Sequence, residues 1–127
     1  LLGSLKKLAS EHPGRLFPMG FTRTIERVMA CADVAITKPG GLTTSECLAV
    51  GLPMIVVAPI PGQEERNADY LLENGAAMKA CDPAALEYRA RSIIKDPGRI
   101  DSMRDNARKL AKPHAARDLL TAILGRK

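Results

Sequence analysis

The sequence has no tryptophan, two phenylalanines and two tyrosines, and aromatic residues make up only 3% of its 127 residues. Proteins that hold single-stranded nucleic acid stack its bases on aromatic side chains, and this chain has too few to build such a platform. No nucleic-acid partner is therefore expected. Three cysteines, Cys31, Cys47 and Cys81, stand far apart, are odd in number and form no C-x-x-C pair. That spacing argues against a disulfide framework or a zinc site and leaves the thiols as small core residues. No apolar run approaches the roughly 20 residues that span a bilayer, and the first residues carry no signal-peptide pattern. A soluble, cytoplasmic domain is the expectation. His12 and His114 each adjoin a proline at a helix boundary, with no sequence partner that would make either one a base. No catalytic residue is assigned.

What is present is enough for one domain. Hydrophobic residues make up 46%, too many for disorder, and the length allows a real core. The net charge of +5 is unevenly spread. From Arg89 to Lys127 eleven Lys and Arg stand against four Asp, a net +7, and the rest of the chain sums to −2. Such a basic third would suit a solvated helical surface, and it would also suit an anionic membrane surface.

The chain is organised around Thr37-Lys38-Pro39-Gly40-Gly41-Leu42-Thr43-Thr44-Ser45-Glu46. Asp33 to Thr37 reads as a buried strand, and Leu42 to Val50 as a helix. A strand that ends in two glycines and runs into a helix is how an anion-binding loop is built. Glycine lets backbone approach a ligand, and a helix N-terminus offers unpaired N–H groups and partial positive charge. The hydroxyls of Thr43, Thr44 and Ser45 add donors, and Lys38 adds a full charge nearby. Two other readings fit the same residues. The glycines would serve a tight strand-to-helix turn, and Thr43-x-x-Glu46 would form a capping box.

Around this loop, apolar spacing predicts helices over Leu1 to Ser10, from Thr22 or Thr24 to Ala30, and over Gln63 to Asn74. Further helices follow at Ala84 to Lys95, Arg99 to Lys112 and His114 to Leu124. Strands are predicted at Arg15 to Met19, Asp33 to Thr37, Pro53 to Ala58 and Ala76 to Met78. Pro53 to Ala58 is apolar throughout, as parallel strands covered on both faces are. Alternation of this kind gives a Rossmann-like α/β fold, a parallel sheet with helices on both faces. Ligands of such sheets sit beyond the carboxyl ends of the strands. Three loops are expected there: Gly20-Phe21-Thr22, Lys38 to Thr43, and Pro59 to Gln63. The chain opens on a helix, which suggests that a first strand is missing and that residues 1–127 are a piece of a longer protein.

Several segments together carry a likeness: Thr37-Lys38-Pro39-Gly40-Gly41-Leu42-Thr43-x-x-Glu46, Gly51-Leu52-Pro53, Pro59-x-Pro61-Gly62-Gln63-Glu64-x-x-Asn67, and Glu73-Asn74-Gly75-Ala76-Ala77. They resemble the C-terminal, donor-binding half of a GT-B glycosyltransferase of family 28. The chain is most similar to the diacylglycerol glycosyltransferases, meaning monogalactosyldiacylglycerol synthases and bacterial processive glucosyltransferases. The Pro-Gly-Gln-Glu-x-x-Asn segment favours a glycolipid synthase over the cell-wall enzyme that glycosylates a lipid-linked muramyl peptide. The resemblance implies an inverting transferase that moves galactose or glucose from UDP to a diacylglycerol-type acceptor, in the cleft between two domains. The acceptor and the catalytic base would belong to the other domain, so this chain alone would bind donor without turnover. The full-length protein would sit peripherally at a membrane.

The same resemblance implies roles for residues. Backbone N–H groups of Gly40, Gly41, Leu42 and Thr43 would face the diphosphate, with the Thr43 hydroxyl helping. Charge builds on the leaving phosphate, and a helix end aimed at it favours the transition state. No metal and no cofactor are then expected, in keeping with the absence of an Asp-x-Asp motif. Glu46 would accept from the ribose hydroxyls, because a carboxylate takes two donors at once. Gly20 and Phe21 would meet uracil through the backbone. Gln63, Glu64 and Asn67 would read the hexose. Rival readings are the cell-wall N-acetylglucosaminyltransferase, a UDP-sugar epimerase half, and a non-catalytic sugar-nucleotide or phosphate-binding module.

Overall fold

The apolar run after Leu52 forms the middle of the sheet. In a computed structural model, which describes residues 1–125, three strands lie parallel in the order β1-β2-β3. They are β1 (Ala35–Thr37), β2 (Met54–Val57) and β3 (Ala77–Ala80). Ile36 stands beside Ile55 and Ile55 beside Met78, so these three share one face, while Ala35, Met54 and Ala77 share the other. Met54, Ile55 and Val56 are all 0% exposed. Burial on both faces is why this strand reads apolar throughout instead of alternating.

The helices are α1 (Leu2–Glu11), α2 (Ile25–Cys31), α3 (Gly41–Ala49), α4 (Gln63–Glu73), α5 (Pro83–Ile94), α6 (Pro97–Leu110) and α7 (Ala115–Ile123). On one face of the sheet, Cys47 and Leu48 of α3 and Ala68 and Leu71 of α4 pack on Met54, Val56 and Ala77, with Ala107 of α6 completing the cluster. On the other, Ile93 of α5 and Met103 of α6 pack on Ile55, Met78 and Ala80. The predicted Rossmann-like layering is therefore present, on a sheet of three strands.

Two Asp-Pro steps open helices in the same way. The Asp82 carboxylate accepts from Ala85 N–H at 2.7 Å, and the Asp96 carboxylate accepts from Arg99 N–H at 3.0 Å. Proline follows each at the first helical position, where its missing N–H costs nothing. Apolar spacing predicts a helix only from Arg99, with Asp96-Pro97-Gly98 outside it. The chain instead uses these residues as the first turn of α6.

A second correction bears on the site. Arg15 to Met19 is not a strand. Phe17 is 77% exposed, and among the described residues no strand pairs with this segment or with the free edge of β1. Strand geometry needs a partner ladder, and Pro18 removes one of the few donors the segment could offer. Gly20-Phe21-Thr22 consequently does not follow a strand of the sheet.

Helices α1, α2 and α7 bury no residue. Leu119, Leu120, Ile123 and Leu124 form an exposed stripe on and just beyond α7. Most basic side chains of α5 to α7 lie on exposed helix faces, with ion pairs such as Arg91–Glu87 and Arg108–Asp105 at the surface. Arg126 and Lys127, counted in the basic third, lie outside the described residues.

Candidate functional site

Two of the three expected loops meet at the carboxyl edge of the sheet. The first joins β1 to α3 through Lys38, Pro39 and Gly40. The second joins β2 to α4 through residues 58–62. Because the strands are parallel, α3 and α4 both start on that edge, side by side.

The first loop turns its carbonyl oxygens inward. Pro39 O accepts from the Asn67 side-chain amide of α4 at 2.9 Å. Gly40 O accepts from Thr44 N–H at 2.9 Å and from the Thr44 hydroxyl at 2.9 Å. Gly41 O accepts from the Thr44 hydroxyl at 3.1 Å and the Ser45 hydroxyl at 2.8 Å. The carbonyl oxygens of Pro39, Gly40 and Gly41 are thus occupied from the protein side. The Thr44 and Ser45 hydroxyls, expected from sequence to be ligand donors, are spent on this work. The N–H groups of Gly40, Gly41, Leu42 and Thr43 come at the start of α3, where no earlier turn exists to accept them. No side chain caps them, and no acid occupies the first turn.

The contrast with the neighbouring helices is instructive. Asp82 and Asp96 cap α5 and α6. At α4, Glu65 reaches back to Gly62 N–H at 3.5 Å. Among α3 to α6, α3 alone starts bare. The capping box read as an alternative, Thr43-x-x-Glu46, does not form, because the N-cap is Gly40 and Thr43 already lies inside the helix. Nor does the backbone require the glycines. Gly40 has φ −67 and ψ 148, an ordinary extended conformation, and Gly41 is helical without positive φ. A Cβ at either would meet nothing within 4 Å. The pair is not a steric necessity of the turn. It leaves bare backbone facing outward, where glycine in a helix costs about 0.5–1 kcal/mol relative to alanine.

The second loop is stiff for other reasons. Gly62 has φ +102 and ψ −110, a conformation that favours glycine, and Ala58 sits at φ +41. Pro59 and Pro61 fix two more dihedrals. The Glu64 carboxylate accepts from Ile60 N–H at 2.7 Å and holds the loop against its own helix. Glu64 therefore has one oxygen committed to the loop. Gln63, first residue of α4, is exposed and makes no hydrogen bond among the described residues.

Glu46 flanks the bare helix end on the other side. Counting 3.6 residues per turn, it lies about 140° round α3 from Gly41. Thr44, Ser45 and Leu48 instead line the hollow shared with Asn67, Tyr70 and Leu71 of α4. Glu46 is exposed, and its carboxylate has no hydrogen bond or ion pair among the described residues. Lys38 and Leu42 are exposed at the same end. Gly20 and Phe21 are not carried to this edge by a strand. Gly20 lies against Leu2 of α1, and Phe21 is 94% exposed.

One part of the edge escaped sequence reading. Beyond β2 and β3, Val57, Ala58, Ala80, Cys81, Pro83 and Leu86 line an apolar hollow of about 280 Å³. The strand end before the Asp82-Pro83 helix start was a usable signal for it.

Cys47, under the loop helix, is 1% exposed. Burial, then the neighbouring Glu46 carboxylate, push its thiol up to about 11. The thiolate is the reactive form, so a disulfide reagent at pH 8 is expected to modify the exposed Cys31 and Cys81 in the folded protein. Cys47 should react only after denaturation. Titration of a third thiol without denaturant would contradict this packing.

Comparison with known proteins places the chain in a family. The family model of glycosyl transferases group 1 matches residues 4–110. The processive diacylglycerol beta-glucosyltransferase of Bacillus pumilus (strain SAFR-032) is 32% identical over 121 residues, covering 95% of this chain and 32% of the relative. That of Bacillus subtilis (strain 168) is 31% identical over 121 residues, again 95% of this chain and 32% of the relative. The chain spans about a third of the length of these relatives. Among solved structures, the glycotransferase of kitacinnamycin superposes with a TM-score of 0.57 at 24% identity, over 87% of this chain and 33% of that one. This last likeness concerns the fold.

Proposed function

The chain belongs to the group 1 glycosyl transferases, and from that membership we propose that it is the donor-binding part of an enzyme transferring a hexose from UDP to a diacylglycerol-type lipid. The relatives' names support glucose as the hexose. The observation that carries the reading is the β1–α3 loop, with its carbonyls occupied from within and four N–H groups at a bare helix end. A diphosphate suits that end through both hydrogen bonding and the helix dipole.

The resemblance suggests the roles. N–H groups of Gly40, Gly41, Leu42 and Thr43 would hold the diphosphate, with Lys38 adding charge. Glu46 would take the ribose hydroxyls. Gln63 would read the hexose, helped by the free oxygen of Glu64. Gly20 and Phe21 would meet uracil once brought over the edge. As the glycosidic bond breaks, charge grows on the departing phosphate. Fixed N–H groups aimed there stabilise the transition state more than the bound donor. Direct displacement by the acceptor hydroxyl would invert the anomeric carbon. The acceptor site and the base would lie in the portion of such enzymes that this chain does not span. Among the described residues, no helix is long and apolar enough to cross a membrane. Contact with the lipid would then be peripheral, aided by the basic helices.

Calorimetric titration with UDP, UDP-glucose, UDP-galactose and UDP-N-acetylglucosamine tests the reading. UDP and UDP-glucose should bind. A folded sample that takes up none of the four removes the proposal. Glu46→Ala should weaken UDP by about tenfold, the loss of hydrogen bonds to a charged acceptor. Thr43→Ala, which keeps the backbone N–H, should weaken it by about twofold to threefold. Unchanged UDP affinity in the Glu46 variant would make that carboxylate a surface residue.

A further inference from the structure

We infer that Asn67 is a positioning residue for nucleotide binding, acting through the Pro39 carbonyl and not through the sugar. This rests on the donor-binding reading above and changes the part that Asn67 plays in it. The Asn67 side-chain amide donates to Pro39 O at 2.9 Å across 28 residues of sequence. Asn67 is half-buried, and Pro39 is among the most completely buried side chains of the chain.

The consequence comes from peptide planarity. No cis peptide is present among the described residues, so the Pro39 carbonyl and the Gly40 N–H lie in one plane and point in opposite directions. Drawing that carbonyl toward α4 aims the Gly40 N–H away from it, over the open start of α3. The carbonyls of Gly40 and Gly41 are held by Thr44 and Ser45 of α3 itself. Pro39 O is the one carbonyl of the set secured by another element. Without Asn67 the Pro39–Gly40 plane is free to tip, and a carbonyl oxygen can turn toward the phosphates. The same bond ties the phosphate loop to the helix that carries Gln63. The two contacts of a sugar nucleotide are thereby held in register.

Asn106 provides a matched control. Its side-chain amide donates to Gly75 O at 3.2 Å, across 31 residues, and secures the turn that follows α4. The experiment compares Asn67→Leu and Asn106→Leu in the intact protein, titrating UDP, UDP-glucose and inorganic pyrophosphate and recording thermal unfolding for each. Asn67→Leu should weaken all three ligands alike, by about fivefold to tenfold. That corresponds to one hydrogen bond of about 1 kcal/mol together with some loss of loop order. Asn106→Leu should lower the melting temperature by a similar amount and leave the three affinities unchanged. Loss confined to UDP-glucose would make Asn67 a sugar contact and overturn the proposal. So would a lowered melting temperature with all three affinities intact. Should Asn67→Leu unfold, Asn67→Ser is used with the same readings. Failure of the unsubstituted protein to bind UDP would overturn the donor-binding reading itself, and this inference with it, a result distinct from the other two.

Discussion

Gly41→Asp is expected to stabilise the folded chain and to remove nucleotide binding. The two effects have opposite sign because the glycine serves a ligand and not the backbone. Gly41 is helical, without positive φ, and a Cβ there meets nothing within 4 Å. A side chain at this position therefore restricts the unfolded chain at no steric cost. A carboxylate in the first turn also gains from the helix dipole, and no acid occupies that turn now. Together these should contribute about 1 kcal/mol, or about 4 °C in melting temperature. In the bound state the same carboxylate would share the end of α3 with a diphosphate. Two like charges about 4 Å apart repel by up to about 4 kcal/mol near a protein surface. UDP affinity should fall at least about a hundredfold. Gly41→Ala should keep most of the stabilisation and lose less affinity. The pair of measurements is a thermal scan and a calorimetric titration. Retained UDP affinity in Gly41→Asp would mean that the phosphates do not rest on α3.

Leu71→Ala should produce a large loss of stability. Leu71 is 1% exposed and is the large side chain that α4 buries, beside the small Ala68. It packs in the cluster formed by Cys47, Leu48, Met54 and Val56, so α3 and α4 lean on each other partly through it. Truncating a leucine in such a place costs about 2–5 kcal/mol, with the cavity term deciding where in that range. A drop of about 10 °C or more in melting temperature is expected. The position also lines the small hollow with Gly41, Thr44 and Asn67. Loosening there should weaken UDP as well, by a few-fold at a temperature where the variant stays folded. A drop of less than 3 °C would mean that α4 is held mainly by its hydrogen bonds.

Much of this architecture was legible along the chain. The continuous apolar run at Met54 to Val57 announced a strand covered on both faces, and its three leading residues are completely buried. Gly75, with φ +69, follows α4 in the left-handed conformation that glycine favours past a helix end. These signals are local. A strand's burial pattern, a proline at a helix start and a glycine past a helix end each concern neighbours within a few residues. The failure at Arg15 to Met19 has the same origin read in reverse. Its composition suits a strand, yet strand formation needs a partner edge that no local pattern can guarantee.

The site divides along the same line. Lys38 to Thr43 and Pro59 to Gln63 were identifiable as loops at the carboxyl edge of the sheet because glycine, proline and helix starts have consequences within one turn of chain. Which polar side chains stay free for a ligand could not be read that way. Thr44 and Ser45 turned inward to their own carbonyls, Glu64 turned back to Ile60, and Glu46 and Gln63 stayed open. Hydrogen-bonding capacity is a property of residue type, whereas its use depends on what the fold brings within 3 Å. Asn67 shows this best. The resemblance implied a sugar contact, and folding set its amide on a proline carbonyl 28 residues away. The order of elements and the location of the loops were written in periodicity and turn chemistry. The assignment of each donor and acceptor waited on long-range packing, because only a finished fold sets distances between residues remote in the chain.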